Sequence, residues 1–150
     1  MTAAETRALR DRVRTHAQLA DATFVATDQD PDADLDAPRT LTAPPYVLIY
    51  PGGGVDGQDR VTGPYADRDP SFSLHCVGES ALAAEIVADW VDAVLRPGGR
   101  GVRLDVPGRR VGALRRVDVG PVLDDDSTRP VVWYVPVIYR FRSQPGPVPT

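Results

Sequence analysis

Ser71-Phe72-Ser73-Leu74-His75-Cys76-Val77, followed by Gly78-Glu79-Ser80 and then Ala81-Leu82-Ala83-Ala84-Glu85-Ile86-Val87-Ala88-Asp89-Trp90-Val91-Asp92-Ala93-Val94-Leu95, decides the fold. In the first stretch Phe72, Leu74 and Cys76 share one face and Ser71, Ser73 and His75 the other, which is the period of a half-buried strand. The period then changes. Ser80 fits an N-cap, Leu82, Ile86, Trp90 and Val94 flanked by Val87 and Val91 make an apolar side, and Glu85, Asp89, Asp92 and Arg96 make a polar stripe. Pro97-Gly98-Gly99 stops the pattern. A helix laid on a sheet is predicted.

Working upstream, Tyr46-Val47-Leu48-Ile49-Tyr50 is an apolar run between Pro45 and Pro51-Gly52-Gly53-Gly54, short and β-branched enough to predict a buried central strand. Thr23-Phe24-Val25-Ala26 predicts a shorter one. Thr2 and Glu5 stand at capping-box spacing, with Leu9 and Val13 one turn apart, which predicts a helix over residues 3–14 or 3–16. Between these elements an acidic loop is expected at residues 28–45 and a Gly-rich loop at 52–69, the latter with a short strand near residues 60–62. Downstream, strands are predicted over residues 102–106, 111–119 and 131–141. In the last, Val131, Trp133, Val135, Val137, Tyr139 and Phe141 share a face and Pro136 argues for a sheet edge or a bulge. The fold class is α+β: a mostly antiparallel sheet packed against one long helix and a shorter N-terminal helix. Residues 1–142 form a single domain, and 143–150 a Pro-rich C-terminal tail.

Composition narrows the chemistry. A chain of 150 residues holds one domain with a core large enough to need no staple. All 17 basic residues are Arg, against 21 acids, for a net charge of −4. Without Lys there is no Schiff base, no phosphate-loop lysine and no lysine general base. Cys76 is alone, so no disulfide forms within the chain, and two His cannot supply most of a zinc shell. No run approaches the ~18 apolar residues of a membrane helix, and the N-terminus lacks the apolar core of a signal peptide. A soluble protein made in a cytoplasm, with no membrane partner, is expected.

Candidate sites fail one by one. Asp28, Asp30, Asp32, Asp34 and Asp36 alternate as calcium ligands do, but an EF-hand loop beginning at Asp28 finds Ala33 where it needs Gly and Arg39 where it needs Glu. A solvated acidic loop is the better reading. Asp124-Asp125-Asp126, followed by Ser127 and Thr128, reads as a turn between strands. Pro51-Gly52-Gly53-Gly54 lacks both the lysine and the helix of a phosphate loop. Cys76 falls on the apolar face of its strand, so a buried thiol is a better reading than a nucleophile served by His16. No Gly-x-Ser-x-Gly or His-Glu-x-x-His is present. Neither an enzyme nor a cofactor nor a metal is expected.

Charge placement is more informative. Residues 96–116 hold seven arginines against Asp105 alone, and 118–126 hold four aspartates and no base. Arg109, Arg110, Arg115 and Arg116 would meet Asp124, Asp125 and Asp126 of a second copy, making these seven the candidate subunit-interface residues. Phosphate contacts to a single-stranded nucleic acid are the alternative use of the same arginines, against an acidic whole and with no aromatic residue among them.

Taken together, the elements resemble the tail-terminator proteins of long-tailed bacteriophages. The likeness rests on the N-terminal helix around Leu9 and Val13, on Tyr46-Val47-Leu48-Ile49-Tyr50-Pro51-Gly52 and on Arg60-Val61-Thr62-Gly63. It continues through Phe72-Ser73-Leu74-His75-Cys76-Val77-Gly78 with its following helix and the closing Ile138-Tyr139-Arg140-Phe141. The resemblance implies a six-membered ring in the virion, assembled in the bacterial host cytoplasm, that caps the tail tube and stops its polymerisation. It implies four partners: other copies of the chain, the major tail tube protein, the head-to-tail connector or stopper, and viral DNA passing through. It implies no catalysis, metal or cofactor. Another neck subunit, a head-closure or adaptor protein, is the alternative. A conduit benefits from a wall that does not hold phosphates, so Asp28, Asp30, Asp32, Asp34 and Asp36 are the lumen or rim candidates.

Overall fold

The computed structural model describes residues 3–26, 43–56, 67–126 and 130–146. The elements are α1 (Ala3–Val13), β1 (Thr23–Val25), β2 (Tyr46–Asp56), β3 (Arg68–Gly78), α2 (Ala81–Leu95), β4 (Arg109–Val111), β5 (Arg115–Val119), β6 (Leu123–Asp125), β7 (Val132–Arg140) and β8 (Ser143–Pro145). The fold is α+β. Its main sheet runs β1-β2-β3-β7-β5, with β6 continuing the β5 edge along β7, and with β8 joining β3 to β4. Among the described pairs only β1–β2 is parallel.

The alternation around Phe72 places the core. In register across three strands lie Val47, Cys76 and Val135, then Ile49, Leu74 and Val137. These six side chains and Phe72, Tyr139 and Phe141 are buried with Ala84, Val87, Val91 and Leu95 of α2 and with Leu9 and Val13 of α1. Both helices therefore cover the same face of the sheet. The Phe72 and Phe141 rings stack at 5.8 Å.

Ser80 caps α2 as expected, its Oγ accepting from the Ala83 N–H at 3.1 Å. The helix turns a different face inward from the one its pattern suggested. Leu82 and Ile86 are exposed and Ala84 is fully buried. The end of β3 comes so close to the first turn of α2 that a Cβ on Gly78 would strike the Ala83 Cβ and the Ala84 backbone N, so only glycine fits at residue 78. After Arg96 the chain reverses through a short 3-10 turn whose Gly98 and Gly99 take φ of +63° and +80°, conformations that favour glycine.

Several elements differ from expectation. Residues 102–106 form no strand: Val102 bonds Leu95 O and receives from Leu114 N–H, with Leu104 and Val106 dropped into the core. The strand expected over 111–119 is two, β4 and β5, broken at residues 112–114. Asp124 and Asp125 are strand residues rather than turn, pairing with Trp133 and Val132. β2 runs to Asp56 and β3 starts at Arg68, so pairing extends into the Gly-rich stretch, with a shift of register between Gly52 and Val55. Residues 143–145, the start of the expected tail, pair with β4.

Pro136 lies inside the sheet, not at an edge. Its carbonyl accepts from Gly120 N–H on the β5–β6 side, so its missing N–H faces the break between those two strands, where no ladder bond is lost. The capping-box reading of Glu5 is also corrected. Its carboxylate is fully buried and turned toward Arg68, Arg109 and Ser143. The short strand expected near residues 60–62 lies outside the described residues, and no described helix is long and apolar enough to cross a membrane.

Candidate functional site

The face of the sheet away from the helices carries Tyr46, Leu48 and Tyr50 from β2, His75 and Val77 from β3, and Tyr134 from β7. Each alternates with a buried neighbour and all but Val77 are half-buried. His75 sits between two tyrosines, its ring 4.6 Å from that of Tyr50 and 4.8 Å from that of Tyr134. Three strands thus contribute one row of rings. Beside the row an open cleft of about 320 Å³ is closed by Tyr46, Val132, Asp124 and Asp125. Burial lowers the His75 pKa from its usual 6.5, which keeps the ring neutral and stacked at pH 7. Burial first, then the charge of Asp125, pushes the Tyr46 hydroxyl up, so it stays a hydrogen-bond donor and acceptor. The cleft offers aromatic planes, hydroxyls and a carboxylate end.

The charged candidates are dispersed. Arg109 is turned inward: its Nε donates to Ser143 Oγ at 2.9 Å and its side chain is 8% exposed, so it is part of the buried Glu5–Arg68–Ser143 cluster that ties α1 to β3, β4 and β8. Arg116 reaches Asp92 of α2 at 3.5 Å, and Asp92 also accepts from the Tyr139 hydroxyl at 2.9 Å and Arg96 Nε at 3.0 Å. Arg115 meets Asp69 at 3.6 Å in the open. Arg110 instead joins Arg103 and Arg142 around a second cleft of about 200 Å³. The four arginines therefore make no common patch, which weakens the nucleic-acid reading built on them. Asp124 and Asp125 line the aromatic cleft, and Asp126 lies exposed in the turn beyond. Asp28, Asp30, Asp32, Asp34 and Asp36 lie outside the described residues.

His16 and Cys76 are engaged separately. The His16 ring stacks on Trp90 at 5.2 Å while its Nδ1 accepts from Gln18 N–H. Cys76 is fully buried, and burial pushes its thiol up to about 12, far from thiolate chemistry at neutral pH. Among the described residues no group of three or more His, Cys, Asp or Glu is placed to hold a metal. Two further surfaces escaped the sequence reading: the apolar pair Leu82 and Ile86 on α2, and Val117, Val119 and Leu123 along the β5–β6 edge.

No protein-family model matches the chain, and no curated protein does. Among solved structures, the chain is similar to one in the virion of a native gene transfer agent particle. The TM-score is 0.63 and the identity 19%, over 91% of this chain and 92% of the other. At that identity the likeness establishes the fold.

Proposed function

We propose that the chain is a structural virion subunit, a ring-forming tail terminator that caps the tail tube, stops its polymerisation and joins the tail to the head connector. The observation that carries this reading is the likeness to a virion chain across 91% of this one, on the same order of elements that resembles tail terminators. The ring has six copies, and DNA passes through without sequence-specific contact. Each copy carries a net charge of −4, so the assembled ring repels phosphate unless arginines are concentrated on its wall. In this reading the aspartates of residues 28–36 line the lumen or its rim. No catalytic step is assigned: the thiol and the imidazole that one would use are committed to the core and to Trp90. The other partners are the major tail tube protein and the head-to-tail connector.

Electron microscopy of the purified protein, alone and with tail tubes, tests this. Six-fold rings at tube ends are expected. Rings that ignore tube ends would mark a head-closure or adaptor subunit, and dispersed monomers would overturn the proposal.

A further inference from the structure

Three arginines meet at one corner of the fold. Arg110 pairs across the β4–β8 ladder with Gln144, and the Gly112 N–H donates to the Arg142 carbonyl at 2.8 Å. Residues 110, 112, 142 and 144 therefore share one face of the ladder. Arg103 completes the lining of the space between them, a cleft of about 200 Å³. Gly112 leaves its floor open, since a Cβ there would meet nothing nearer than Arg142 at 3.8 Å. One carboxylate answers the three guanidiniums, that of Asp67 at 3.6 Å from Arg142. Arg103 and Arg110 are exposed, and among the described residues neither has an ion-pair or hydrogen-bond partner. Guanidinium forks left open around one cleft suit carboxylates or phosphates.

The opposite charge stands at the far end of the sheet. Asp124 and Asp125 pair with Trp133 and Val132 at the start of β7, and Asp126 follows in the turn. Asp124 and Asp126 are exposed and, among the described residues, have no cationic partner. Arg142 lies beyond the other end of β7, which runs nine residues from Val132 to Arg140, roughly 26 Å at ~3.3 Å per residue. Side chains do not bridge that span, and salt screens charges over ~8 Å. Within one chain the two groups never meet.

We propose that the corner formed by Arg103, Arg110 and Arg142 of one copy docks on the acidic end formed by Asp124 and Asp126 of the next. The two surfaces differ and lie at opposite ends of β7, so the contact is head-to-tail, the kind that closes a ring or runs on as a filament. The guanidiniums take the carboxylates in forked hydrogen bonds, and their aliphatic stems cover Leu123, 40% exposed beside Asp124. Asp124 and Asp125 also border the tyrosine cleft, so the docked corner reaches rings whose faces attract guanidinium. The pairing differs from the one expected from sequence: Arg109 is buried against Glu5, and Arg115 and Arg116 are held by Asp69 and Asp92. Phosphate is the other anion such a cleft fits, but a chain of net charge −4 repels nucleic acid as a whole. The contact rests on the ring reading for the association of copies and needs no tail tube.

Charge reversal in the full chain tests it. Arg103→Glu/Arg110→Glu makes both surfaces acidic, and Asp124→Arg/Asp126→Arg makes both basic. All four positions are exposed, so each variant should keep the unmodified melting temperature while its self-association, read by sedimentation at physiological salt, weakens about tenfold or more. Mixed in equal amounts, the two variants should associate as strongly as the unmodified chain, since every contact then joins opposite charges. Single variants that associate normally, or a mixture no more associated than its parts, would overturn the proposal. An arginine variant that loses only its binding to a single-stranded oligonucleotide would give the cleft to phosphate instead. A hexamer indifferent to the reversals overturns this contact alone. Assemblies of another copy number that follow the reversals overturn the six-membered ring alone, and an unmodified chain that stays monomeric overturns both.

Discussion

The two faces of the sheet are made by alternate residues of the same strands, yet they solve different problems. Val47, Ile49, Leu74, Cys76, Val135 and Val137 are aliphatic or thiol side chains under two helices, almost fully buried. One residue along in each strand, the opposite face presents Tyr46, Leu48, Tyr50, His75 and Tyr134, half-buried under no described helix. Aliphatic side chains are stable only when covered; a tyrosine tolerates both states, because its ring packs while its hydroxyl stays wet. The first face is completed within the chain. The second is suited to being completed by another.

Substitutions on the covered face should have the largest effect on folding. Phe72→Ala removes a fully buried ring stacked on Phe141 and should cost about 3–5 kcal/mol in a denaturant titration. A cost near that of an exposed site would mean the helices do not seal this face. Glu5→Ala leaves Arg68 and Arg109 facing each other without their shared carboxylate and should cost about 3 kcal/mol by the same measurement.

On the open face the stability effects shrink while the effect on association grows. Tyr134→Ala deletes the ring stacked on His75 and should cost only about 1 kcal/mol, while weakening self-association measured by light scattering. A folded, normally associating Tyr134→Ala protein would break the contrast between the faces. The smallest effect belongs to pH. Burial depresses the folded-state pKa of His75 below 6.5, so as pH falls the unfolded chain takes up the proton first. The stabilisation is complete above the unfolded value and is lost as pH falls through the folded one. Melting temperature should therefore decline from about pH 6.5 downward, and His75→Phe should flatten that decline.

The sequence made the covered face legible because its pattern is local. Ser71 to Val77 alternates with period two, Val135, Val137 and Tyr139 continue the core face in register with it, and Tyr46 to Tyr50 read as a buried run whose inward side is settled only by pairing with β3. Tertiary spacing was harder to see. The inward face of α2 differs from the one its pattern suggests because bulk favours Leu82 and Ile86, whereas the face that packs on the sheet is Ala84, Val87, Val91 and Leu95. Arg109 looked like surface charge in an arginine-rich run; its partner Glu5 lies over a hundred residues away and is met only through β8. The tyrosine row was hidden for a similar reason, since Tyr50, His75 and Tyr134 become neighbours only once three strands are paired. Asp124 and Asp125 read as a turn for the same reason, since their pairing with Trp133 and Val132 and the cleft they border exist only once β6 lies along β7.

The proposed capping of the tail tube is tested by following tail-tube assembly in the presence of rising amounts of the purified protein. The expected result is that elongation stops once the protein matches the concentration of tube ends, with one ring at each stopped end. Tubes that continue to grow at the unmodified rate, with the protein in large excess over their ends, would contradict it.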